Sequence, residues 1–516
     1  MGRGTGRRDR TIRAALAAML MGIAAPAAAQ QAQDTLRIAT SGQIASTVAV
    51  EDPQPNTHVI SEAVFDGIIC YEPQTHVFRP LLAQSWTQID DLTIEFHLRP
   101  DVTFQDGSPL TAADVVYSYR YMVDPTARLR FGPQNFDWMA RVEAIDAHTV
   151  RLVAKRVDPL EMLNLAILGD ILPAKLHGAS ANRSDFGRLH PVGSGPYKVA
   201  AIDQTHGVTL VRNPGYRHGN GCKPAGSIAT VRIVPIPDPQ TRMAELVTGG
   251  TDLIRAGTRD EADALAGNPA LALTAVEGTD FTYLQLDALA RSGNRALADR
   301  RVRQAIVQAI DRGRLARSVL PGGAAVRPAD ALCTPLTRAC AVSVKPYPYD
   351  PAAARRLLAA AGYPDGFSLA IDTPAIFEPL SEAIAGELRK VGIVVKVDEV
   401  TVPAFFQHLA AGKVEAAVSY FGLADVASNV GFFFGGGLRD YWRDPAIGPL
   451  VAAGEATLDT ARRRTIYRQI FDRMNAAAYI LPLATTPDVF IHVRGLAVPT
   501  VTTNTFGLSV FRLRWQ

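Results

Sequence analysis

Apolar and polar residues alternate with a period of two from Thr93 to Arg99. Ile94, Phe96 and Leu98 share one face, and Thr93, Glu95, His97 and Arg99 the other, which predicts a half-buried strand. Asp90-Asp91 before it and Asp106-Gly107 after it are turn pairs, because short carboxylates bond their own backbone and glycine accepts positive φ. Thr111 followed three residues later by Asp114 predicts a capped helix containing Val115, Val116 and Tyr119. Leu36 to Ala39 reads as the first strand, and two β-rich runs follow at 208–216 and 228–238. Pro239 then opens a helix with Met243, Leu246 and Val247 on one face, stopped by Gly249-Gly250. A short strand spans 252–256, and Thr258 with Glu261 is a second capping box.

Beyond about residue 281 the pattern becomes regular helix–strand alternation. Asp299 caps a helix carrying Val302, Ile306, Ala309 and Ile310, and Asp350-Pro351 starts one that Gly362 ends. Leu380, Ile384, Leu388 and Val391 stand at helical spacing before Gly392, with a strand over 393–397, and Pro403 opens a helix that ends near Gly412. This alternation implies a mainly parallel sheet covered on both faces. The chain therefore divides into a β-richer first part and an α/β second part, switching near 280–290. Its 516 residues exceed what one ordinary core holds, so two or three packed bodies are expected.

Hydrophobic residues make up 47% and charged residues 20%, the balance of a soluble globular protein. Arg7, Arg8, Arg10 and Arg13 precede an apolar run over 14–25 and the small residues Ala27-Ala28-Ala29. This is the layout of a secretory signal with cleavage near Ala29, and the run is too short to span a bilayer. No cysteine follows, so no lipid anchor is expected there. Residues 1–29 hold five Arg and one Asp, so their removal takes the formal charge from +3 to −1; the basic balance is no argument for a nucleic-acid partner. Export places Cys70, Cys222, Cys333 and Cys340 where disulfides persist. Cys333 and Cys340 flank a loop that a bridge can close, whereas Cys70, in the run IICY, reads as a small buried core residue.

Several segments, in order along the chain, carry a family resemblance: VFDGII (64–69), RPLLAQSW (79–86), HPVGSGPYKV (190–199), RNPGY (212–216), TRMAELVTGGTDL (241–253), DRRVRQAIVQAIDRGRL (299–315) and YDPAAARRLLAAAGYPDGF (349–367). The succession resembles the family-5 extracellular solute-binding proteins, the dipeptide- and oligopeptide-binding components of bacterial ABC importers. The resemblance implies an α/β, two-lobed periplasmic binding protein of type II (cluster C-like), with hinge strands and a subdomain inserted in the first lobe. It implies lobe I over 30–65, 190–282 and 486–516, the inserted subdomain over 66–189, and lobe II over 283–485. It implies a monomer in the periplasm that hands a small ligand, a short peptide first of all, to the transmembrane subunits of an ABC permease by hinge closure. An oligosaccharide, an opine-like conjugate and a chelated metal are the alternative ligands. No cofactor, nucleic acid or stable membrane insertion is expected.

Candidate ligand-binding residues follow from position. Thr40, Ser41 and Gly42 leave the first strand, where ligands of open α/β sheets sit. Tyr283 and Gln285 lie where the chain crosses between lobes, and alternation puts them on one face with Asp287. In SYFGLADVASN (419–429) the resemblance makes Asp425 the match to an acidic residue that anchors a ligand ammonium, with Phe421 beside it. The aromatic run around Phe432 to Trp442 offers Trp442 as a stacking surface. Gly193-Ser194-Gly195 lacks the Lys-Ser/Thr of a phosphate loop and reads as a tight turn. The rival class is an exported hydrolase. The chain has no G-x-S-x-G elbow and no H-E-x-x-H, its ten histidines lack metal-ligand spacing, and no catalytic or metal residue is assigned.

Overall fold

The computed structural model describes residues 34–516 apart from 53, 128, 130–131, 181, 204, 342–346 and 503–506. The expected signal segment lies outside the described residues.

Two mixed sheets carry the molecule. The first has seven strands in the order Leu271–Val276, Asp488–Val493, Leu253–Ala256, Thr35–Thr40, Thr230–Pro235, Gly207–Arg212, Tyr197–Asp203. Thr35–Thr40 runs parallel to both its neighbours, and the outer pairings are antiparallel. The second has six strands in the order Arg327–Pro328, Ile480–Thr485, Phe281–Leu286, Ala416–Phe421, Ser368–Pro374, Val394–Val400. Its last three strands are parallel, and Phe281–Leu286 is antiparallel to both its neighbours.

Local chemistry sets many of the helix boundaries. Thr111 and Asp114 form the capping box that starts Ala112–Val123, and Asp299 Oδ1 accepts from the backbone N–H of Arg301 at 2.8 Å. The helix Val402–Ala411 ends at Gly412 with φ +70°, the left-handed cap that only glycine adopts without strain. In Pro239–Thr248 the buried face is Arg242 and Leu246, and Val247 is 40% exposed; the apolar face is narrower than its spacing predicts.

Each face of the six-stranded sheet has its own core. Leu284 and Leu286 pack with Ile306, Leu358 and Ile384 on one side, and Phe281 and Tyr283 with Phe405, Val430, Phe433 and Tyr467 on the other. All six residues of Phe281–Leu286 are buried, because helices cover both faces. Between Thr40 and Tyr197 the chain adds a four-stranded antiparallel sheet, Ala83–Asp90, Thr93–Leu98, Thr149–Ala154 and Met139–Ala144 in that order. One hydrophobic cluster runs from Leu36 and Ile233 of the seven-stranded sheet to Phe96 and Tyr119, so this insertion shares the core of its host.

Cys333 is bonded to Cys340, and Cys70 to Cys222. Cys70 is buried, as its run implies, and it is also bridged: its partner is 152 residues away, beyond what spacing reveals. The bridge docks the 216–223 loop, which also places Lys223 Nζ 2.7 Å and His218 Nε2 2.9 Å from the buried Asp66. Burial pushes the Asp66 carboxyl up, but the Lys223 and His218 charges and hydrogen bonds prevail and hold it well below the usual carboxylate range. Gly193 and Gly195 are packed against the backbone of Ala63 and Val64, with no room for a Cβ. Their turn is structural, as its sequence implies.

Candidate functional site

The chain passes between the two large sheets at 277–280 and at 486–487, and the backbone N–H of Thr486 donates to the Asp280 carbonyl at 2.9 Å. In the first sheet, Val276 and Asp488 pair beside Ala256, the last residue of a central parallel strand. In the second, Phe281 pairs with Phe421, the last residue of another. The two crossings therefore join the carboxyl ends of both parallel strand sets. Ligands of open α/β sheets bind at such ends, which makes these two strand ends the candidate site.

On the first body, Thr40 ends its strand, Ser41 is exposed, and the Gly42 carbonyl accepts from Asn56 Nδ2 at 2.8 Å. Arg255 lies one residue before a strand end and pairs with Asp488. Its side chain stays 49% exposed. Asp280 stands between the sheets and interacts electrostatically with Arg255 and Asp488 of the first and with Tyr420 of the second. Burial first, then the Asp488 carboxylate, push the Asp280 carboxyl up to about 7, although Arg255 opposes them. On the second body, Tyr420 is 46% exposed and packs on Phe377 at 5.4 Å between ring centroids. Phe421 stacks on Phe432 at 3.9 Å. Gly422 leaves no room for a side chain, since a Cβ would lie 2.6 Å from both Cα and Oδ1 of Asp280.

A second line of contact joins the bodies. Arg338 lies within the disulfide-closed loop 333–340, and its Nη1 donates to the Pro159 carbonyl at 2.6 Å. The guanidinium sits 5.5 Å from the centre of the Phe78 ring. Tyr71, Leu163 and Ala424 form a buried apolar contact nearby.

The candidate residues separate in the structure. Thr40, Ser41, Gly42 and Phe421 stand at strand carboxyl ends facing the crossings. Tyr283 and Gln285 do not face the gap: they are 1% and 3% exposed within the sheet, and Tyr283 packs edge-on to Phe433 at 5.0 Å. Trp442 is also core, and its indole N–H donates to the Leu286 carbonyl at 2.9 Å. Asp425 is wholly buried as the N-cap of Val426–Phe434. Its oxygens take Arg463 Nη1 at 2.9 Å, Arg463 Nη2, and the Ala427 N–H at 2.8 Å, with Arg338 Nη1 at 3.5 Å. Burial lowers the Arg463 pKa, but Asp425 more than offsets this and raises it above the ordinary value. A carboxylate so engaged is a structural ion pair, which corrects its reading as an ammonium anchor. Sequence reasoning missed Arg255, Asp280, Tyr420 and Asp488. Their signal was placement, as polar or aromatic residues at the ends of four strands.

Among the described residues no group of three or more His, Cys, Asp or Glu side chains can hold a metal ion, and no helix is long and apolar enough to cross a membrane.

Residues 77–441 match the sequence profile of the bacterial extracellular solute-binding proteins, family 5 Middle. The glutathione-binding protein GsiB of Pectobacterium atrosepticum is 27% identical over 471 residues, covering 86% of this chain and 87% of that one. GsiB of Salmonella typhi is 31% identical over 332 residues, covering 63% of this chain and 62% of that one. The substrate-binding protein CtaP of Listeria monocytogenes superposes with a TM-score of 0.81 at 20% identity, over 93% of this chain and 99% of that one. The oligopeptide-binding protein AppA of Bacillus subtilis, solved with a nonapeptide, gives 0.74 at 19% identity over 93% and 99%. At these identities the solved structures speak for the fold alone, a two-lobed α/β binding protein.

Proposed function

Because the chain belongs to the bacterial extracellular solute-binding proteins of family 5, we propose that it captures a short peptide between its two bodies and delivers it to the permease of an ABC importer. The observation that carries this reading is the pair of crossings at the carboxyl ends of both sheets. On this reading Thr40, Ser41, Gly42, Arg255, Tyr420 and Phe421 line the gap between the two bodies, with the crossing residue Asp280 at its base. Residues 30–65, 190–282 and 486–516 act as one lobe with 66–189 inserted in it, and 283–485 as the other. Residues 1–29 direct export to the periplasm, where the protein works as a monomer.

The gap needs no reacting group. Solute that touches both halves binds the closed arrangement better than the open one and shifts the population toward it, and a permease reads closure as occupancy. The two GsiB proteins are named for a tripeptide thiol, which favours peptide over sugar as the ligand class.

Native mass spectrometry of the protein as purified tests this. A co-purified solute of peptide mass, displaced on dilution and recovered unchanged, is the expected result. Release of cleaved products would make the chain an enzyme. A protein that arrives empty and binds no member of a di- to pentapeptide panel by calorimetry would overturn the peptide assignment.

A further inference from the structure

The contact around Arg338 buries a carboxyl that no group of the chain answers. Residues 158–163 of the inserted subdomain lie on the second body there. The Pro159 carbonyl accepts from Arg338 Nη1, Leu160 packs against the core on one face of the six-stranded sheet, and Leu163 meets Ala424. Glu161, between the two leucines, opens the helix Glu161–Ile167 and is 7% exposed. Among the described residues its side chain has neither an ion-pair nor a hydrogen-bond partner. An ionised carboxylate in such a place has lost its water and gained nothing in return.

The surrounding groups do not compensate. Asp158, 14% exposed, repels Glu161 and takes the Leu160 N–H at 2.8 Å. Arg156 comes within 3.5 Å of Asp158 but is held by both oxygens of Asp137, at 3.0 and 3.2 Å. On the adjoining strand Ile69–Glu72, the Tyr71 hydroxyl bonds His76 Nδ1 at 2.8 Å, and Glu72 takes Arg79 at 3.1 Å. The neighbouring helix Gly132–Phe136 brings no charge. From the second body, Arg463 is engaged by Asp425 and Arg338 by Pro159, while Arg464 acts on His76. Glu455, at the end of the helix Gly448–Glu455, is repelled by Asp158 in its turn. Asp158 therefore has an acidic neighbour on each body. Burial first, then Asp158, push the Glu161 carboxyl up to about 7 from an ordinary 4.5. Glu455 is exposed, so the larger effect belongs to Glu161.

We propose that Glu161 couples closure of the two bodies to pH: its neutral carboxyl lets the inserted subdomain seat on the second body, and its ionisation drives the two apart. This rests on the reading of two bodies that close over a solute, and adds what regulates that closure. Parting the bodies hydrates Glu161 and returns it toward 4.5. The closed form then holds a proton that the open form has lost. Closure is therefore fully favoured below about pH 4.5 and is lost progressively as pH rises to about 7. His76 has the opposite sense, because burial lowers its value and acid charges it more readily when the bodies part.

The test is small-angle scattering of the solute-free chain, stripped by unfolding in urea and refolding, over pH 5 to 7.5. In wild type the ratio of compact to extended particles should fall about 30-fold across that range. Glu161→Gln, which keeps the shape and cannot ionise, should hold the change below about 3-fold. Asp280 and His76 titrate in both proteins, so the difference between the two profiles reads Glu161 alone. Glu161→Ala should flatten the profile as well, and keeps the test open should the glutamine disturb the helix. A wild-type ratio that does not move with pH would overturn the coupling. So would equal movement in wild type and both variants. Either outcome leaves the solute-binding reading, which the co-purified solute decides, untouched.

Discussion

Asp425 is where a ligand role and a structural role predict opposite outcomes. Asp425→Asn keeps an oxygen for the Ala427 N–H, so the helix cap, worth about 1 kcal/mol, survives. What it removes is the charge opposite Arg463, whose side chain is 0% exposed and whose other partner is the Tyr467 hydroxyl at 3.3 Å. Breaking a buried pair by neutralising one member costs about 3–5 kcal/mol, because the remaining charge cannot be hydrated. Arg463→Met should cost somewhat less, since Arg338 lies near enough to answer the stranded carboxylate. The double variant carries neither charge and should come within about 2 kcal/mol of wild type. Urea unfolding of all four proteins yields the coupling energy, expected to exceed about 3 kcal/mol. Single substitutions that cost under about 1 kcal/mol, add without coupling, and instead weaken capture of the co-purified solute would refute the structural assignment and return Asp425 to the ligand.

Asp280 has its carboxyl pushed up to about 7 in the folded chain, from an ordinary value of 3.8. The folded state therefore holds a proton that the unfolded state has lost, so stability falls as pH rises between about 4 and 7. Asp280→Asn should stabilise the protein by about 1–2 kcal/mol at pH 8 and have little effect at pH 4, read from melts at both pH values. Gly422→Ala puts a methyl group against the backbone of the crossing and should cost about 1–3 kcal/mol; small-angle scattering should also show a more open particle. Serine replacement of the bridge separated by 152 residues should cost about 5 kcal/mol, and of that separated by 7 about 2.5 kcal/mol, if loop entropy dominates. Equal losses from the two would contradict that ordering.

Much of the fold was legible because its signals are local. Asp299 and Asp350 announce helix starts through bonds to their own next residues, and Gly249 and Gly412 announce helix ends through positive φ. Helix–strand alternation after 281 carried the three parallel strands of the second sheet, but not its other three pairings, which are antiparallel, so the expected mainly parallel sheet is instead mixed. Period two in Phe281–Leu286 did separate Phe281 and Tyr283 from Leu284 and Leu286, and they do pack on opposite faces. The crossing, however, ends at Asp280, so Tyr283 and Gln285 lie inside the covered sheet and not on the gap. Whether a polar group is free or engaged is a long-range fact. Arg463 is 38 residues from Asp425, and the Asp488 that meets Arg255 belongs to the returning strand. The place of Thr40, Ser41 and Gly42 at the end of the first strand needed no such information; their part in binding is a proposal.

The two lines of contact between the bodies differ in kind. At the crossings the link is covalent and its chemistry polar, with Arg255, Asp280 and Asp488 exposed enough to interact with a solute. Around Arg338 the contact is a hydrogen bond, a ring face and a small apolar cluster, all between groups of the chain itself. A contact of that sort lowers the free energy of the closed state whatever is bound. It raises apparent affinity by increasing the competent fraction of the protein and does not alter the ranking of ligands. Selectivity must then come from groups left unanswered on the gap, since only differential contacts discriminate one solute from another. On the proposed function, a chain can internalise Asp425 and Arg463 as structure and still choose its solute, with closure biased at the Arg338 contact and choice made at the strand ends.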